Sequence, residues 1–575
     1  MKRRLTLPIM LLCLAMIAAA CSDSDSDTET TAGGEDTATT QAESGTETTQ
    51  GGGEQAETTE PPSAEPVSVR AAITGDEDTL NPYTYVSGFP GWNLLMMQYD
   101  SLMQLDAAGE PQPWLAESVS ANDDLTEYTV SLVDGVKWHD GTDLTIADAE
   151  FTFNYFIESA TGRFSRDLRG VDSVTVNEAG ELVFALAAPN PAFDLVALAD
   201  IPILPMHVWE GIENPGEATF DISTNVGSGP FKMTAYEQDQ FYRFEAHSDY
   251  FRGAPSVDEL VVVIFADDAG ALAAIRSGEV DVGFDRISPE QIELLDAQDP
   301  LDIAQGPEFT TQMINIDVSK PPFDDLAVRQ AVQLAIDGQD IVDTIYLGSA
   351  TIGSPGWVHP DKTVYNPAVV PAHDVAAANK LLDDAGYADS DGDGIREFDG
   401  NPMSFEYITN SSDSLRLRIA ELTAEMMAAI GIQATVVSVE TATWEEAVWP
   451  GFDIANGRNY EMATWGWSAP IQANTIRIAE LVNSDPGTGF LNLTGFANDE
   501  VDTITSQLQI EADPAAAAAL LSDLQVLIAE QVPFVMLAYP DGAYVYNSEV
   551  YADWEFIAGQ GIVSKVSLLP ASARP

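Results

Sequence analysis

The chain has 575 residues, with 92 Asp and Glu against 24 Lys and Arg, a formal net charge of −68 at pH 7 and two cysteines. A surface of that sign repels nucleic-acid phosphates and anionic lipid headgroups, which excludes both as partners. The charge divides as +3 in residues 1–21, −12 in 22–66 and −59 in 67–575, where 80 acids face 21 Lys and Arg, so the acidity is a property of the whole surface and not of one tail.

In chain order, Lys2, Arg3 and Arg4 precede an apolar run from Leu5 to Ile17, followed by Ala18-Ala19-Ala20-Cys21. A charged start, a short apolar run and small residues predict a secretory signal, and the run is too short for a comfortable membrane span. The segment resembles a bacterial lipoprotein signal, with Ala18 where leucine is usual, which implies that Cys21 becomes the lipidated first residue. Cys13 would leave with the signal, so the mature chain would have no disulfide, thiol nucleophile or thiolate metal site. Residues 22–66 contain no aromatic or bulky aliphatic side chain and no Lys or Arg. Such a segment cannot bury a core, and its repelling acids predict an extended, disordered tether.

The 509 residues that remain are enough for roughly three domain-sized units. Early in this body, "SGFPGWN" (87–93) is a Gly/Pro loop whose Phe89, Trp92 and Asn93 are candidate ligand contacts. The runs "YTVSLV" (128–133), "ELVFALA" (181–187) and "ELVVVIF" (259–265) read as strands between helices, a mixed α/β pattern. In "KWHDGTDLTIADAEFTF" (137–153), His139 and Asp140 stand side by side. They lie between a strand ending near Trp138 and a helix capped at Thr145 with Asp148 three residues on, so turn composition is the reading and not acid/base chemistry. Leu326, Ala331, Leu334 and Ala335 share helical spacing. Asp513 and Pro514 open a second helix as cap and first residue.

Reactive patterns are scarce. The five histidines are dispersed, and the chain holds no HExxH, GxSxG or GxxxxGK[ST] segment. "DSDGDGIREFDG" (389–400) places Asp389, Asp391 and Asp393 at alternate positions before Gly394, the first half of a calcium loop, but Gly400 stands where a bidentate glutamate is needed. A structural calcium or a plain Asp/Gly turn both fit, and no other cofactor is implied. Trp465 and Trp467 alternate, so in an extended segment they share a face able to stack on sugar rings or cover apolar side chains.

Several segments in one order carry a resemblance. "YDSLMQLDAAGEPQPWLAESVSANDDLTEYTVSLVDGVKWHDGTDLTIADAEFTF" (99–153), "NVGSGPFKMTAYE" (225–237), "HSDYFRGAPSVDELVVVIFAD" (247–267), "AAIRSGEVDVGF" (273–284), "KPPFDDLAVRQAVQLAID" (320–337), "LLDDAGYADSDGDGIRE" (381–397) and "TGFANDEVDTI" (494–504) form the series. Together they resemble the family 5 extracellular solute-binding proteins, the oligopeptide and dipeptide receptors of ABC importers. The resemblance implies an α/β, two-lobed periplasmic-binding-protein-like fold of type II, with an extra inserted domain, closing over a central cleft. It assigns 67–105, 220–310 and 535–575 to the first lobe, 106–219 to the inserted domain and 311–534 to the second lobe. It further implies a monomer without catalysis, outside the cytoplasm and anchored through Cys21, that delivers a solute, first of all a peptide, to an ABC permease. In peptide-binding members a segment like "ATWGWSAP" (463–470) lines the cleft, and an acid soon after it holds the peptide's ammonium. Here Ser468 follows Trp467 and no acid comes before Glu480, which leaves an oligosaccharide or another polar solute as the alternative. A secreted hydrolase using converging carboxylates is the reading from a different class.

Overall fold

The computed structural model describes residues 66–575 apart from 79, 84–89, 160–162, 213–214, 216–221, 223–224 and 469–473. Cys21, the tether expected over 22–66 except its last residue, and Phe89 lie outside the described residues.

A 12-stranded sheet runs through the body, and its strands divide into two groups that share one member. In the first group, Ser68–Thr74 pairs in parallel with Glu259–Phe265, and Phe241–Ala246 and Phe231–Glu237 extend that edge antiparallel. In the second, Ser404–Asn410 and Gln433–Val439 pair in parallel, and Met462–Trp465 joins them to Gln312–Ile316. The shared member is the strand Val535–Asn547. Its Val535, Met536 and Ala538 pair with Gln312–Ile316, whereas its stretch from Asp541 to Asn547 pairs with Leu301–Pro307. The chain therefore crosses between the groups twice, through 308–311 and through 540–541. The boundary expected at residue 535 coincides with the start of this strand, whose Val535 to Tyr539 are buried in the second group's core.

Each group is covered by helices whose ends are chemically closed. Asp513 accepts from Ala515 and Ala516 N–H at the start of the helix Pro514–Gln531. At its other end the buried Arg329 donates to the carbonyls of Gln531 and Val532, where cationic donors meet the helix's unsatisfied acceptors. Arg329 belongs to Leu326–Ala335, whose buried apolar face is Val328, Ala331, Val332 and Ala335; Leu326 and Leu334 flank that face. Residues 116–186 form a separate antiparallel sheet in the order Ala116–Ala121, Glu127–Leu132, Leu182–Leu186, Val171–Val176. The helix Ile146–Ser159 packs on it, and Phe153 and Phe184 meet edge to face at 4.7 Å. Its core is continuous with that of the first strand group. Asp148 closes the helix start by accepting from both the N–H and the hydroxyl of Thr145, so the cap works through the aspartate in place of a reciprocal box.

His139 and Asp140 do not pair with each other. Asp140 accepts from Thr142 and lies 2.8 Å from His207 Nε2. His139 Nδ1 accepts from Gly227 N–H at 3.3 Å, so its Nε2 carries the proton donated to Gly229 O at 2.9 Å. Burial pushes the His139 imidazole down to about 4. The unfolded chain, with an ordinary histidine near ~6.5, then binds more protons than the folded one, so this contribution to stability is lost as pH falls from about 6.5 to about 4. His139→Gln is expected to remove close to one proton from the slope of unfolding free energy against pH in that window. A variant with the parent's slope would refute the assignment.

Candidate functional site

The functional geometry gathers where the two strand groups meet. Glu308, at the end of the first crossing, is buried; its carboxylate accepts from Arg286 Nη1 at 2.8 Å and from the Tyr544 hydroxyl. Burial, and next the Glu308 charge, hold the Tyr544 phenol well above its ordinary value, so it stays protonated and donates. Gly542 lies across from this group, and a Cβ there would stand 2.5 Å from Glu308 Cγ. The next residue, Phe309, takes a left-handed backbone (φ 57°), packs 5.1 Å from the His359 ring and carries the Lys362 ammonium 4.2 Å over its own ring.

The tryptophan segment is hydrogen-bonded to the same crossing. Thr311 N–H donates to Trp467 O at 3.0 Å and Trp467 N–H donates to Thr311 Oγ1 at 2.8 Å. Gly466 permits that approach: a Cβ on it would sit 2.2 Å from Thr311 O and 2.9 Å from Arg416 Nη2. Trp465, on the strand Met462–Trp465, packs tilted against Trp444 at 4.5 Å and meets Trp467 edge to face at 5.7 Å. Trp449 and the exposed Phe452 extend the series at 6.2 and 5.3 Å. Among the described residues, the buried Nε1 atoms of Trp465 and Trp449 have no hydrogen-bond partner.

Arginines complete this wall. The Arg416 guanidinium lies 5.1 Å over the Trp444 ring, 3.3 Å from Gln312 Oε1 and 3.4 Å from Asp413 Oδ2. Burial lowers its proton affinity, and Asp413 and Tyr346 oppose that. The Arg286 side chain is 47% exposed although it is held by the buried Glu308.

Of the residues singled out by sequence, Trp465 and Trp467 come together here, and Ser468 is exposed beside them. Asn93 is drawn elsewhere: it is buried and donates to Gln560 O at 2.7 Å and Val563 O at 3.0 Å, tying the helix Gly91–Met96 to the C-terminal segment. Trp92 packs on Phe164 at 5.8 Å and borders a cavity of about 50 Å³ with Gln104, Gln560 and Lys565, too small for a peptide. Arg286, Glu308, Arg416, Trp444 and Trp449 escape sequence reasoning because each belongs to a different element, and only the strand crossing unites them.

At the acidic loop, oxygens of Asp389, Asp391 and Glu397 approach within 4.8 Å of one another. Asp393 instead accepts from Ile395 N–H. The three converging carboxylates also serve the loop itself, Asp389 accepting from Gly392 and Gly394, Asp391 from Asp393 and Glu397 from Ser390.

Comparison with known proteins identifies the family and the fold. Residues 110–487 match the family model for bacterial extracellular solute-binding proteins, family 5 middle region. The oligopeptide-binding protein AppA of Bacillus subtilis is 27% identical over 474 residues, 81% of this chain and 85% of that protein. Its structure in complex with a nonapeptide superposes with a TM-score of 0.67 at 24% identity, covering 84% of this chain and 95% of that one. NikZ from Campylobacter jejuni in complex with Ni(L-His) gives a TM-score of 0.69 at 22% identity, covering 86% and 96%. The fold is thus the two-lobed α/β fold of these proteins, and the two strand groups are its lobes.

Proposed function

The chain belongs to the bacterial extracellular solute-binding proteins of family 5, and from that premise we propose that it captures a peptide between its lobes and hands it to the permease of an ABC importer. The family acts outside the cytoplasm. Anchorage through a lipid on Cys21 and a monomeric state are part of the same proposal.

The observation that carries the peptide reading is the tryptophan and arginine wall bonded to the lobe crossing through Thr311 and Trp467. Flat indole faces accept apolar side chains of many shapes. Arg286 and Arg416 offer two guanidiniums to a carboxylate, the arrangement suited to a charge-assisted pair. With Ser468 in place of an acid, a free ammonium has no counter-charge at that position. Lobe closure by hinge motion at 308–311 and 540–541 would remove the solute from water.

Binding without turnover is the reading favoured by the carboxylates present. Glu308 is occupied by Arg286 and Tyr544, and Asp413 caps the helix Ser414–Ala428 by accepting from Arg416 N–H. Neither is poised to transfer a proton to a substrate.

The test is calorimetric titration of the full chain, stripped of co-purified solute, with peptide pools, glycan pools and a nickel–histidine chelate, each followed by mass spectrometry. Peptides are expected to bind and to be recovered intact, and Trp467→Ala is expected to weaken them at least tenfold with little change in melting temperature. Binding of glycans or the chelate alone would replace the peptide reading, and recovery of cleaved peptides would overturn the absence of catalysis.

A further inference from the structure

Closing the lobes brings like charges together. Residues 311–534 carry 9 Lys and Arg against 33 Asp and Glu, and the rest of the body from residue 67 carries 12 against 47. Two such surfaces repel one another over a screening length of about 8 Å at physiological salt. Against that background, four of the body's 21 cations gather at the lobe junction: Arg286, Lys362, Arg416 and Arg418.

One of them bridges the junction. Arg418 Nη2 lies 2.7 Å from Glu290 Oε1. Glu290 is in the first turn of the helix Pro289–Asp296, whose Leu295 packs with Ala72 and Ile275 of the first lobe. Arg418 is in the helix Ser414–Ala428, whose Ile419 and Ala420 are buried in the second lobe. Among the ion pairs of the described residues it is the one that joins 311–534 to the rest of the body. The two side chains are 39% and 45% exposed, so they can separate into water without stranding a buried charge. That is the requirement for a contact made and broken in every cycle; the Arg286–Glu308 pair, on the first lobe and the crossing, does not meet it, because its separation would strand the buried Glu308 carboxylate.

We propose that Glu290 and Arg418 form a closure latch, a positioning pair that holds the lobes together and sets affinity for any solute without touching it. The inference rests on the reading of the junction as a solute cleft. Apparent affinity scales with the population of the binding-competent arrangement, and an exposed ion pair shifts such a population by about two- to fivefold. The latch therefore adjusts affinity evenly across ligands, unlike Trp467 or Arg416, whose removal would discriminate between them.

The chain has no cysteine after Cys21, so with Cys13 and Cys21 replaced by serine, cysteines at the exposed Glu279 and Ala428 can carry a donor and an acceptor dye. In the ligand-free full chain, Glu290→Gln and Arg418→Gln are each expected to move the distance distribution toward longer separations by the same amount, and the double variant by no more than either. Affinity for a bound peptide falls two- to fivefold in all three, and the deficit disappears in high salt. Unchanged distances in both single variants, or additive shifts in the double, overturn the latch. Because the distance arm uses no ligand, it decides the latch even if no peptide binds; peptide binding with unresponsive distances would leave the solute-binding reading intact.

Discussion

Gly466→Ala is expected to abolish measurable solute binding and to lower unfolding stability by about 2 kcal/mol, within the range for an overpacked interior. The added Cβ would lie 2.2 Å from Thr311 O, a backbone atom that cannot rotate away, and 2.9 Å from Arg416 Nη2. Relief requires breaking the two hydrogen bonds between Thr311 and Trp467, which detaches the tryptophan wall from the lobe crossing. Equilibrium unfolding in urea and peptide titration measure the two effects. Gly270→Ala, whose Cβ has its nearest neighbour at 3.4 Å, is the control and stays near the parent. Parent-like affinity and stability in Gly466→Ala would show that the segment is free to move.

The second large effect is expected away from the site. Asp100 and Lys565 form a buried ion pair at 2.8 Å, with Asp100 fully enclosed and Lys565 2% exposed. Trp114 Nε1, the Tyr250 hydroxyl and the Ser228 hydroxyl also donate to Asp100, and Lys565 donates to Tyr99 O. Burial works against the Asp100 charge most strongly, but Lys565 together with the hydrogen bonds from Trp114 and Tyr250 outweighs it and holds the carboxyl below the usual range. Lys565→Met leaves that charge uncompensated and should cost about 3–5 kcal/mol. The loss should shrink on acidification, because Asp100 without its cation has a folded pKa above the unfolded value and takes up a proton more readily when folded. Asp100→Asn combined with Lys565→Met should recover much of the stability. A double variant no better than Lys565→Met would mean that the cost is lost packing and not charge.

Local chemistry was the legible part of this sequence. Asp513 and Pro514 open their helix as their residue types require, and the strands at 127–132, 182–186 and 259–265 follow their apolar runs. The pair His139 and Asp140 was legible as scaffold from its turn composition, although its real partners, Gly229 and His207, are remote in sequence. Trp465 and Trp467 could be placed on one wall because their two-residue spacing is a local property, although Trp467 lies just beyond the strand Met462–Trp465. Asn93 misled because an amide beside a tryptophan on a loop looks ligand-directed, while its two bonds go to carbonyls at the far end of the chain. Lobe boundaries were obscured by Pro540-Asp541-Gly542, a triplet of turn composition that here stays extended while its pairing changes from one lobe to the other. Arg286 and Arg416 carried no signal, since an arginine's role depends on which side chains three-dimensional closure brings to it.

The strand Val535–Asn547 has a further consequence, for the order in which the molecule can fold. Both lobes lack a strand until it arrives, and it lies within the last 41 of the 575 residues. Neither lobe can finish its sheet while the C-terminus is still being synthesised or still threading through a translocation pore. Its pairings with Leu301–Pro307 and Gln312–Ile316 span more than 200 residues, and contacts of that separation form late because the loop entropy is lost before they stabilise anything. Both lobes therefore close their sheets late, around the same strand.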